Sequence, residues 1–120
     1  MSQVQQAFGR PLSLEQALKC KNISTSDFYS AVTGHDWSGE PLHLRFGEIH
    51  PFKFTRQNKN QIYELVKKLR KYYEQTYKPE ESPRRYYCSH FDRIDNAYKS
   101  GKLKEQKKAI EDLLGAIVLD

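Results

Sequence analysis

The sequence predicts an α+β fold that is predominantly α-helical: a short N-terminal helical hairpin, a β-hairpin, then three amphipathic helices. Three observations carry this. Ile62, Val66, Leu69 and Tyr73 recur at helical spacing. Leu42-His43-Leu44-Arg45-Phe46 alternates strictly between apolar and polar, as half-buried extended chain does. Gly34, Pro79 and Gly101 stand where periodic segments stop.

Residues 1–10 are polar and read as loose. Ser13 is placed to cap a helix from Leu14 to about Cys20, with Gln16 at the third helical position to reach back in a capping box. Lys21-Asn22 breaks the pattern, and Ser24 or Thr25 starts a second short helix that Gly34 ends after Thr33. Residues 14–33 thus predict a helical hairpin, with a helix-turn-helix as one form of it. Residues 35–41 favour turns, and Trp37 reads as the anchor of that loop in the core.

A β-hairpin is expected over 42–54. Leu42–Phe46 forms the first strand, Gly47-Glu48 a two-residue loop, and Ile49–Phe54 the return. The return strand is irregular. Pro51 cannot donate to a ladder, and the Phe52/Phe54 face conflicts with Ile49, so a bulge or an edge position is required.

The helix at 59–78 stops at Pro79, and its polar faces are crowded by Lys67, Lys68, Arg70 and Lys71. Ser82-Pro83 opens a helix over 83–99 that buries Tyr87, Phe91, Ile94 and Tyr98. A last helix, 103–114, uses Ile110, Leu113 and Leu114. Gly115 should end it, freeing Ala116–Leu119 to pack on the core or to form a homodimer contact.

At 120 residues, one domain is expected. The two cysteines, Cys20 and Cys88, are too few for a disulfide scaffold, which favours a reducing cytoplasmic setting. The N-terminal stretch lacks a secretion signal, and no apolar run is long enough to span a membrane. Catalytic motifs are absent. Nothing resembles a phosphate-cradling glycine loop, a nucleophile elbow or a zinc-protease helix, so the expectation is a non-enzyme without cofactor or metal. Cys88 and His90 are two apart, and helix geometry turns such residues away from each other.

Charge points to a partner. The net charge is +5, and the excess lies after residue 50, where sixteen basic side chains meet ten acidic ones. Such asymmetry suits an anionic partner. The expected function is nucleic-acid binding, with DNA favoured, in a small regulatory protein. Lys67, Lys68, Arg70, Lys71, Arg84 and Arg85, interleaved with the pairs Tyr72-Tyr73 and Tyr86-Tyr87, would supply cations and stacking rings. Ser24, Thr25 and Ser26 would open a recognition helix, with Arg45 on a wing. That helix carries Asp27 and no lysine or arginine, which weakens it as a DNA reader. The alternative is a protein-interaction module, an adaptor or inhibitor docking on an acidic protein such as a nucleic-acid enzyme. For Arg84 and Arg85, placed unfavourably at a helix start, the local expectation is pairing with Glu80 or Glu81.

Overall fold

A computed structural model describes residues 13–34 and 49–119. Among these, five helices form: α1 (Leu14–Lys19), α2 (Thr25–Thr33), α3 (Lys59–Thr76), α4 (Ser82–Ser100) and α5 (Leu103–Leu119). The described residues are helical with no strand among them, which corrects the expected α+β fold and its β-hairpin. Residues 49–54, read as the return strand, carry no strand pairing. Phe54 is buried there and Phe52 half-buried, while Pro51 and Lys53 are exposed. Side-chain contacts hold the segment to the core. The Tyr29 hydroxyl lies 2.7 Å from His50 Nδ1 and accepts from the His50 backbone N–H at 3.1 Å. The loose segment 1–10, the 35–41 turn with Trp37, the first strand at 42–46 with Arg45, and the Gly47-Glu48 loop lie outside the described residues.

Local chemistry explains the helix starts. Ser13 Oγ accepts from the Gln16 N–H while Gln16 Oε1 accepts from the Ser13 N–H, a complete capping box. Ser24 and Asp27 repeat the exchange at α2. Thr55 and Asn58 do the same ahead of α3. Gly34 ends α2 at φ +77°, a left-handed conformation that costs glycine little.

At the other terminus of the chain, Gly115 does not end the last helix, and α5 continues through it to Leu119. Glycine lowers helix propensity by about 1 kcal/mol. Burying Ala116 and Ile117 beyond it repays that cost, so these two residues belong to the core.

One core collects the apolar faces of all five helices. The short links 77–81 and 101–102 fold α3, α4 and α5 back on one another, while α2 packs on α3 and α5, and α1 on α2 and α3. A helix as short as α1 is unstable alone, and it persists here because Ala17 and Ile23 are sealed against the rest.

At the end where α3 meets α4, Tyr73 stacks on Tyr77 and Tyr87, with ring centroids 5.8 and 4.6 Å apart. Each tyrosine pair splits as helix geometry requires: Tyr73 and Tyr87 are buried, Tyr72 is half-buried and Tyr86 exposed.

His90 closes this cluster edge-on to Tyr86, and its Nδ1 is buried without a hydrogen-bond partner among the described residues. Burial, aided by the nearby Arg93 charge and opposed by Asp112, holds the imidazole below its ordinary range. The neutral ring is thus the form the fold prefers. The unfolded chain takes up the proton first, so stability is complete above about pH 6.5 and is lost as pH falls through the folded value. Thermal midpoints measured from about pH 7.5 down to pH 5 should fall, and His90→Phe, which keeps an aromatic edge there, should flatten that dependence.

Candidate nucleic-acid interface

Folding divides the predicted cations into two groups. The first is consumed by the structure. Arg70 clasps α3 to α4, with guanidinium nitrogens 2.8 Å from Asp92 and 3.2 Å from Asp95, and a third carboxylate, Glu74, at 3.7 Å. The same side chain lies over the Phe91 ring, and Asp95 also accepts the Tyr63 hydroxyl at 2.6 Å. Arg84 does not pair with Glu80 or Glu81. It donates to the carbonyls of Glu74 and Tyr77, both at 3.2 Å, and so caps the C-terminal end of α3. A cation is favoured there by the helix dipole, which offsets its awkward place at the start of α4. Arg85 is exposed beside Ser82 and Tyr86, at the far end of α4 from the clasp.

The Arg70 clasp predicts its own outcome. Arg70→Met should lower unfolding free energy by about 1–3 kcal/mol, because Asp92 and Asp95 lose a shared charged partner. Any ligand affinity of the folded protein should be unchanged, a separation that chemical denaturation and binding titrations check.

The second group converges. Lys68 Nζ donates to the Cys20 carbonyl at 2.7 Å, across 48 residues of sequence. Cys20 is the C-cap of α1, and its chain neighbours are the exposed Lys19 and Lys21. Lys71, one turn further along α3, is exposed and makes no ion pair among the described residues; neither do Lys19 and Lys21. A carbonyl fixes the Lys68 ammonium without cancelling its charge, and two of its three donors stay available. The backbone at residues 19–21 and the Lys68–Lys71 stretch of α3 are therefore adjacent at the seam where α1 crosses α3.

Lys67 borders the patch. Its ammonium is 2.9 Å from Glu64 and 5.1 Å from the Tyr63 ring centre. Both members of that ion pair are more than half exposed, so the pairing neutralises the charge only weakly against water.

The start of α2 joins the same seam. Thr25 Oγ1 and the Tyr73 hydroxyl are 2.7 Å apart, which holds residues 24–26 against the Lys68–Tyr73 stretch of α3. Ser24 is the cap, Thr25 is half-buried and Ser26 is exposed. The positive end of α2 thus adds to the lysine field, with Asp27 partly opposing it. Tyr72, half-buried and edge-on to Tyr73, follows Lys68 by one helical turn and borders the patch with an aromatic ring.

Two of the predicted sets, 24–26 and 67–71, are thereby brought together apart from Arg70, while Arg84 and Arg85 are placed elsewhere and Arg45 lies outside the described residues. Tyr72, expected as one of the stacking rings, borders the patch, and Lys19 and Lys21 adjoin it without being among the expected site residues. The signal for those two in sequence is a pair of lysines flanking the first helix break.

As a groove reader, α2 is poorly exposed: Phe28 through Thr33 are all buried. A helix that enters the major groove needs a free face, and here only Ser26 is fully exposed. Among the described residues no helix is long and apolar enough to cross a membrane. Compared with protein-family models, curated protein sequences and solved structures, the chain matches none.

Proposed function

We propose that this chain binds nucleic acid through the α1–α3 seam, gripping the phosphate backbone without catalysing a reaction on it. The observation that carries the reading is the 2.7 Å contact of Lys68 with the Cys20 carbonyl, which brings the Lys68 ammonium to the stretch of backbone that bears Lys19 and Lys21. Four lysines that make no ion pair among the described residues release counterions when phosphates replace those ions. The hydroxyls of residues 24–26 and the ring of Tyr72 border this strip and suit it to backbone and base contacts respectively.

Preference for duplex DNA rested on α2 as a recognition helix, and its burial removes that support. The reading is therefore backbone-directed binding with little sequence discrimination, suited to a regulator that occupies nucleic acid and does not cut or copy it. Fluorescence anisotropy of a labelled oligonucleotide, single-stranded and duplex, tests it. Affinity should fall steeply between about 50 and 200 mM salt, with a log–log slope of about 3 to 4. Binding that ignores salt, or no binding at low salt, rejects the proposal.

A further inference from the structure

We propose that the open trough between α4 and α5 receives an acidic amphipathic helix from a partner protein. The trough has a volume of about 530 Å³. Its floor is made of Ala97 and Ala109, facing small residues that leave room where larger ones would close the gap. Arg93, Lys104 and Lys108 stand on its rim.

The rim carries surplus positive charge. Asp112 is shared by Arg93 at 3.1 Å and Lys108 at 3.2 Å, so one carboxylate faces two cations. Glu105 lies 3.8 Å from Lys102, and Lys104 makes no ion pair among the described residues. A floor of small residues between edges where three cations outnumber Glu105 and Asp112 complements a helix that presents one apolar row flanked by carboxylates. The trough is open along its length, so it would leave a small molecule largely in water, whereas a helix laid along it covers floor and rim together. A sugar–phosphate chain satisfies the rim but has no apolar row for the floor. The site is lined by residues of α4 and α5 alone and does not depend on the α1–α3 seam.

The test uses the full chain and a synthetic helical peptide with leucines along one face and glutamates beside them. Two control peptides replace every glutamate by lysine or every leucine by alanine. The glutamate–leucine peptide should bind, and each control should bind at least about tenfold more weakly. Lys104→Glu combined with Lys108→Glu, both on exposed positions, should weaken binding by a similar factor while the thermal midpoint holds. Asn96→Trp, at an exposed position of the lining, should obstruct the trough and weaken binding by a similar factor. Equal binding of the lysine peptide, or no loss in the variants, overturns the proposal. So does sedimentation showing a dimer that the double variant dissociates, since a second copy would then fill the trough.

Discussion

Tyr73→Ala is expected to destabilise the protein by about 3–5 kcal/mol, among the largest effects available from one side chain here. Tyr73 is 4% exposed, stacked on Tyr77 and Tyr87 and tilted against Phe91. Truncation leaves a ring-sized void between α3 and α4 that packed helices fill only in part. It also removes the hydroxyl that meets Thr25 and ties the start of α2 to α3. Tyr73→Phe separates the two contributions. It keeps the ring and should cost about 0.5–1.5 kcal/mol, the ordinary net value of one hydrogen bond. Urea denaturation of both variants measures the difference. A small loss in the alanine variant would mean that the tyrosine stack is not the joint it is taken to be.

The second large effect concerns binding. Replacing Lys19, Lys21, Lys68 and Lys71 together by glutamine should reduce oligonucleotide affinity at least about a hundredfold near 50 mM salt. The log–log salt slope should fall by about one for each lysine that contacts a phosphate. Glutamine is chosen because it removes the charge yet keeps a polar side chain compatible with a helix, and the α1–α3 contact also rests on the burial of Ala17. The variant should therefore unfold at a similar temperature. A matched variant at Arg85, Lys99, Lys104 and Lys107, exposed cations outside the seam, removes the same net charge and should retain most of the affinity. Equal losses in the two variants would assign binding to net charge alone.

Much of the helical architecture was legible because its signals are local. Ser13 with Gln16, and Ser24 followed three residues on by Asp27, announce helix starts through hydrogen bonds within one turn. Ile62, Leu69, Phe91 and Ile94 mark buried faces by spacing alone. The errors came where a local signal was asked a non-local question. Residues 49–54 were read as a return strand, but whether such a segment pairs with a strand depends on what lies beside it, here Tyr29 and the core. Gly115 lowers helix propensity, yet the burial of Ala116 and Ile117 decides its conformation.

The site was half legible for the same reason. A run such as Lys67-Lys68-Leu69-Arg70-Lys71 reads as a block of charge in sequence. In the fold Arg70 turns to Asp92 and Asp95, Lys67 to Glu64, and Lys68 to Cys20. None of the partners beyond the helix's own turn can be read from spacing. Lys19 and Lys21 become part of the patch only because α1 docks on α3.

Amide chemical shifts of isotopically labelled protein, followed while a short oligonucleotide is added at low salt, locate the contact surface residue by residue. Progressive shifts concentrated in residues 19–26 and 67–72, reversed on adding salt, are the expected pattern. Shifts confined to α4 and α5, or none at all at saturating oligonucleotide, would contradict the assignment of the lysine seam as a phosphate-binding surface.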